Sequence, residues 1–213
     1  MEEQAVSDSM RPGLKQDLDI YFDPAFADVL ETWGVGNVWT EIQILMGARK
    51  GRVLDIACGT GRTYDFLQRF EDLEYHGCDI SNLLIERAYA RGIPESRARV
   101  ADATCLPYES NSFDFVFSIG SIEHFTEAGI EAMLTECRRV CRGLGFHQFP
   151  VSIREKDEGW ISPYQSYWNN SEAWWMEKFG KVYGNNIVVI PSRWSDALSR
   201  GVWFITYEPG WIL

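Results

Sequence analysis

From residue 52 the chain alternates short apolar runs with stretches of helical periodicity, and this alternation restricts the fold more than any other feature. "RVLDIA", "YHGCDI", "ARVADA" and "FDFVFSI" read as strands, and "GFHQFPVS" as a fifth. Between them "GRTYDFLQRF", "SNLLIERAYARG" and "EAGIEAMLTECRRVCRG" read as helices. In the last of these Ile130, Met133, Leu134, Cys137 and Val140 recur at helical spacing. Successive strands separated by helices pair in parallel when each connection crosses a face of the sheet. The expected fold class is therefore α/β, a doubly wound, Rossmann-like sheet with helices on both faces.

The 213 residues suit one domain with a sizeable core. Residues 1–18 read as a flexible N-terminal tail and 19–213 as a single domain. Within it, 19–47 form an N-terminal helical cap of two helices. "DPAFADVLETWG" has Asp23 as N-cap, Pro24 at the first helical position and Gly34 after the last turn, and "NVWTEIQILM" follows. Past residue 151 the composition shifts, since seven of the nine Trp fall there. Residues 151–176 read as a polar, aromatic insertion, with a helix from Ser171 to Phe179. "NNIVVI" and "GVWFITYE" then pair as a hairpin.

Charge and cysteine usage narrow the partners. A net charge of −11, with no basic run interleaved with aromatics, disfavours a phosphate backbone, so no nucleic-acid partner is expected. No apolar run approaches the ~18 residues of a membrane helix, so no membrane partner is expected either. "MEEQAVSDSM" is acidic and lacks the apolar core of a signal peptide, which makes the cytoplasm the default location. Five cysteines (58, 78, 105, 137 and 141) show no CxxC spacing and read as small buried hydrophobes in a reducing compartment. The residues fix no oligomeric state, and a homodimer is open to such a chain.

The ends of the strands carry the chemistry. In "VLDIACGTGRT", residues 53–63, Gly59 and Gly61 let the backbone bend sharply and approach a ligand. A dinucleotide turn needs a third glycine three residues later, and that position is Tyr64. Asp79 ends the second strand, where a carboxylate can accept both hydroxyls of a ribose. Asp102 ends the third, where a carboxylate can accept from an adenine amino group. With Asp55, three acids surround one pocket, which suits a ligand with ribose, adenine and a positive centre.

"VLDIACGTGRT", "CDIS", "VADATCLPYESNSFDFVFSIGSIEHF" and "RRVCRG" together resemble the consecutive motifs of class I S-adenosylmethionine (SAM)-dependent methyltransferases. The closest likeness is to the type 11 group that includes ubiquinone and menaquinone biosynthesis enzymes. The resemblance covers roughly residues 50 to 150. It implies a seven-stranded, mostly parallel sheet whose last strand is antiparallel, and S-adenosyl-L-methionine as cofactor. Carried over by position, Asp55, Ala57, Gly59 and Gly61, with Cys58 in the same turn, would line the methionine end. Asp79 would hold the ribose diol with Ile80 against the adenine. Asp102 and Ala103 would meet the adenine edge, and Ser118 and Ile119 would border the pocket. The Lys-Pro-Gly-Gly turn usual in this family is "RGLG" here. His147 and Gln148, in the strand that follows, read as a satisfied, partly buried pair.

The resemblance implies methyl transfer to a small molecule, an in-line displacement that rests mainly on alignment and exclusion of water. "SIEHF" puts Glu123 and His124 at the mouth of the site, so these are the candidate catalytic residues, His124 as a base titrating near neutrality. The ubiquinone O-methyltransferases carry a metal-binding Glu-x-x-Glu-His segment, but Gly120 replaces the first Glu here, and no metal is expected. Residues 18–46 and 154–175, dense in aromatics, would shape the acceptor pocket. "SIGS" stands where many nucleic-acid amino-methyltransferases have an "NPPY"-type segment. Two alternatives remain at this point, a non-catalytic SAM-binding or interaction protein and an NAD-dependent oxidoreductase.

Overall fold

A computed structural model describes residues 16–163 and 165–210. Its main sheet contains strands β1 (Gly51–Ile56), β2 (Leu73–Asp79), β3 (Ala98–Val100), β4 (Phe113–Ile119), β5 (Cys141–Ser152), β8 (Ile187–Ser195) and β9 (Ser199–Tyr207), in the spatial order β3-β2-β1-β4-β5-β9-β8. The first five pair in parallel. β9 runs antiparallel to both β5 and β8, as expected for a last strand of opposite direction. Two further strands, β6 (Trp160–Ile161) and β7 (Tyr167–Trp168), form a separate hairpin.

Helices α1 (Pro24–Val29), α2 (Val38–Met46), α3 (Tyr64–Leu67), α4 (Asn82–Ala90), α5 (Glu127–Val140) and α6 (Glu172–Tyr183) cover both faces. Residues alternating along the strands divide the core in two. Leu54 and Val116 pack on one side with Ile130, Met133 and Leu134 of α5 and with Trp175 and Phe179 of α6. Val53, Phe115 and Phe117 pack on the other with Val38, Trp39 and Ile42 of α2 and with Ile85 of α4. The strands read as nearly continuous apolar runs because both their faces are covered.

Local signals account for the helix ends. The Ser81 hydroxyl accepts from the Leu84 N–H and starts α4, while Gly92, at φ +105°, closes it. The Thr126 hydroxyl caps α5, and Arg138 and Arg139 sit in its last turn, where cations favour the helix dipole. Three expectations change. The helix at "GRTYDFLQRF" shrinks to α3, because the Thr63 hydroxyl at its start is committed to Asp55 and gives no cap. α1 stops at Val29 and not near Gly34, since the chain tightens into i→i+3 turns at Glu31, Thr32 and Val35. The insertion at 151–176 is not a plain loop but carries the β6–β7 hairpin.

Of the expected tail, residues 1–15 lie outside the described residues, and Gln16 and Leu18 lie on the wall of a cavity. Four of the five cysteines are buried as expected, but Cys105 is exposed. Among the described residues no helix is long and apolar enough to cross a membrane.

Candidate active site

Strand order reverses between β1 and β4, and a crevice opens there at the carboxyl ends of the strands. It holds a cavity of about 550 Å³. The turn after β1 forms its floor. Ala57, Gly59 and Gly61 have φ of +57°, +56° and +72°, so this short turn is left-handed at alternate residues. Ala57 pays a steric penalty in that region that glycine escapes, a strain of the kind that collects at ligand sites.

Asp79, at the end of β2, ties the turn to the next strand. Its Oδ2 accepts from the Gly59 N–H at 2.9 Å and its Oδ1 from the Ser81 N–H at 3.0 Å. Each oxygen keeps a further lone pair for a ligand hydroxyl. Burial pushes its pKa up to about 6 against the pull of these bonds. Asp55 answers a different need. Its Oδ2 accepts from Tyr75 Oη at 2.7 Å and from the Thr63 hydroxyl, which locks the segment after the turn onto β2. Burial raises Asp55 to about 7. Asp102 bonds the N–H and hydroxyl of Thr104 through Oδ1.

Asp55, Ala57, Cys58, Gly59, Asp79, Ile80, Asp102, Ala103 and Ile119 all lie on the cavity wall, together with Glu123 and His124. Two predicted positions do not. Gly61 faces α4, and a Cβ there would sit 2.5 Å from Ile93 Cδ1. Ser118 is fully buried and bonds His147 Nδ1 at 2.9 Å. Strand alternation turns it away from the crevice. His147 and Gln148 are wholly buried, not partly, and His147 Nε2 and Gln148 Oε1 have no partner, so the pair is not satisfied.

His124 Nδ1 is 2.7 Å from the Ser166 carbonyl, which fixes Nδ1–H as the donor and leaves Nε2 as an acceptor. Burial pulls its pKa down to about 4, so it does not titrate near neutrality. Glu123 shows the opposite response, pushed up to about 8 by burial. A carboxyl raised from its ordinary 4.5 favours folding below that pH and loses this contribution as pH rises toward 8. The Glu123→Gln variant should therefore melt several degrees above wild type at pH 8, about 1 kcal/mol moving a domain of this size by 2–4 °C, and converge with it near pH 5. Equal pH profiles in differential scanning calorimetry would place the carboxyl in a solvated setting.

Several wall residues were not named singly in the sequence, although all but Trp194 fall in the stretches 18–46 and 154–175 expected to shape the acceptor pocket. Tyr21 and Trp33 come from the cap, Gln165 and Tyr167 from the insertion, and Trp194 from β8. Gln165 Nε2 donates to Tyr21 Oη at 2.7 Å, joining cap to insertion across the cavity. Arg91 ties the cap to α3, pairing with Glu31 at 2.5 Å and Asp65 at 2.6 Å. Arg62, directly after Gly61, was not singled out in the sequence; it lies on the wall and pairs with Asp65. Among the described residues no three His, Cys, Asp or Glu side chains cluster as metal ligands.

The cavity fits an adenosyl group by its chemistry. It offers Asp79 to hydroxyls, Ile80, Leu84 and Ala103 to a flat ring, and the Asp102 carboxylate at the rim. Residues 53–145 match the family described as "Methyltransferase domain". The chain is 33% identical over 105 residues to the human probable tRNA methyltransferase 9B, covering 48% of this chain and 21% of that protein. It is 30% identical over 126 residues to O-methyltransferase rstn1 of Aspergillus nomiae, covering 56% and 55%. The chain thus spans from a fifth to about half of these relatives. Among solved structures, a SAM-dependent methyltransferase of Methanosarcina mazei shares the fold with a TM-score of 0.66 and 16% identity, over 78% of this chain and 96% of that one.

Proposed function

From a chain whose residues 53–145 match the methyltransferase domain family and whose fold is shared with a SAM-dependent methyltransferase, we propose transfer of the cofactor's methyl group to a small-molecule acceptor. S-adenosylmethionine is the cofactor of this family and fold, and it supplies an electrophilic methyl group on a sulfonium. The observation that carries the reading is Asp79, a buried carboxylate held by two backbone N–H groups at the switch point and open to a cavity of about 550 Å³.

In this reading Asp79 binds the ribose diol, Ile80 and Ala103 flank the adenine, and Asp102 meets its amino group. Asp55, Ala57, Cys58 and Gly59 shape the methionine end. Gly61 supports the turn from behind. The cap at 19–47 and the insertion at 151–176 form the acceptor side, joined through Tyr21 and Gln165. Glu123 and His124 face the acceptor. Isothermal calorimetry should give a SAM or S-adenosylhomocysteine complex of one cofactor per chain, and binding of NADH in place of SAM would overturn the reading.

His124 is neutral across the physiological range, so its catalytic use follows a definite sign. A His held below its ordinary value favours folding above pH 6.5, and that contribution is lost as pH falls toward 4. The rate–pH profile should therefore show no limb from His124 between pH 6 and 7. A limb there that disappears in His124→Gln would show a solvated, titrating base.

A second reading, methylation of tRNA, is favoured by one observation, the similarity to tRNA methyltransferase 9B. The net charge of −11 opposes it. In gel-shift assays at ~0.15 M salt no RNA should bind more tightly than the weak non-specific range of roughly 10⁻⁴ M. Micromolar binding of tRNA would transfer the proposal to that substrate.

A further inference from the structure

We propose that the acceptor is an amine that enters as an ammonium ion and is held and deprotonated at Glu123 inside an aromatic pocket. This rests on the methyltransferase reading and names the class of its acceptor. Glu123 belongs to the 3-10 turn Ile122–His124 after β4, lines the cavity and is 4% exposed. Its Oε2 is buried with no hydrogen-bond partner. Its Oε1 is 3.8 Å from His124 Nε2, which is itself an acceptor because Nδ1 carries the proton. A buried carboxyl oxygen without a donor is costly, and a ligand that donates to it removes the cost.

The other carboxyls on the wall are already served. Asp55 accepts from Thr63 and Tyr75, Asp79 from Gly59 and Ser81, Asp102 from Thr104, and Asp196 from Leu198 and Ser199. Glu123 Oε2 alone among them is buried with no hydrogen-bond partner among the described residues.

The surroundings select a cation. A Cβ on Gly120 would lie 3.0 Å from the Trp33 ring and 3.8 Å from Glu123 Oε1, so that ring and the carboxyl meet across Gly120. Tyr21 and Tyr167 are near enough to feel the Glu123 charge, and Phe125 lies on the same wall. Aromatic rings around a carboxylate attract an ammonium by their quadrupoles and its charge together. Five carboxyls line the cavity against one cation among the described residues, Arg62, which is paired with Asp65. A phosphate or carboxylate on the acceptor would meet repulsion from these carboxyls.

The proton balance follows. The ammonium gives one N–H proton to the Glu123 carboxylate and becomes a neutral amine with a lone pair. That pair forms the new N–C bond to the methyl carbon as the C–S bond breaks, its electrons remaining on sulfur. The product leaves as the N-methylammonium ion, and Glu123 returns its proton to solvent. The bound ammonium favours the ionised form of Glu123, and the burial that raises this carboxyl to about 8 narrows its gap to an amine, so the proton can cross.

Calorimetry on the protein saturated with S-adenosylhomocysteine tests this with phenethylamine, phenethyl alcohol and phenylacetate. Phenethylamine should bind at least about tenfold more tightly than the alcohol, and phenylacetate should not bind. Glu123→Gln should erase the amine's advantage while the affinity for S-adenosylhomocysteine stays within about twofold and the thermal melt stays cooperative. With labelled SAM, wild type should form the N-methyl product. Equal binding of amine and alcohol, binding of phenylacetate, or an undiminished amine preference in Glu123→Gln would overturn the proposal and leave the methyltransferase reading standing. Absence of any S-adenosylhomocysteine binding would overturn both.

Discussion

Asp79→Ala is expected to weaken SAM binding about 100-fold, since hydrogen bonds to a charged acceptor contribute roughly 1.5–3 kcal/mol each and 1.4 kcal/mol is a factor of ten. The change removes more than the two ligand bonds. It also frees the N–H groups of Gly59 and Ser81, which hold the turn after β1 against β2. Circular dichroism and a thermal melt separate this local loosening from unfolding, and the fold should persist because the strands pair through backbone. The ionised form binds, so affinity in wild type should fall as pH drops through about 6, the value to which burial lifts this carboxyl. Unchanged affinity in calorimetry would remove Asp79 from the cofactor site.

Gly61→Val is expected to cost about 2–5 kcal/mol of stability, summing the strain of a left-handed β-branched residue and the overpacking of a filled contact. Its φ of +72° is hostile to valine, and the new Cβ would meet Ile93 at 2.5 Å and Ala88 at 3.2 Å. Both neighbours are buried apolar residues with little freedom to retreat. The loss should appear in urea unfolding as a lower midpoint at unchanged slope. A variant of wild-type stability that nonetheless fails to bind SAM would assign Gly61 to the ligand and not to the packing of α4.

These two residues mark how far the sequence could be read. Asp79 was legible because strand ends, caps and glycine turns are local signals, and the same signals yielded the strands and the ends of α4, while the antiparallel last strand came from the resemblance. Gly61 stands in the same motif, but which way it faces depends on where α4 packs, a contact 27 to 32 residues away in the chain. Ser118 failed for a related reason. Its place at the end of β4 was correct, but facing is set by strand alternation, and it points to His147. The cap and the insertion were read as the acceptor side, but their contact was not, because Tyr21 meets Gln165 across 144 residues. The two-residue strands of the β6–β7 hairpin are too short for a periodic pattern to register. The titration of His124 and Glu123 follows from burial, which no residue type announces.

The position of β9 has a consequence for biosynthesis. It lies between β5 and β8, so the last of the described strands in chain order occupies an interior place in the sheet. A ribosome that has released everything up to residue 198 has exposed β5 and β8, yet neither can pair on the side that β9 will fill. For that interval the twelve residues of β5, Cys141–Ser152, present an open edge with buried-type side chains. The nascent chain completes its core in one late event, when Val202, Trp203, Phe204 and Ile205 enter between the two waiting strands. Ribosome stalling or premature termination inside Ser199–Tyr207 would therefore yield an aggregation-prone chain.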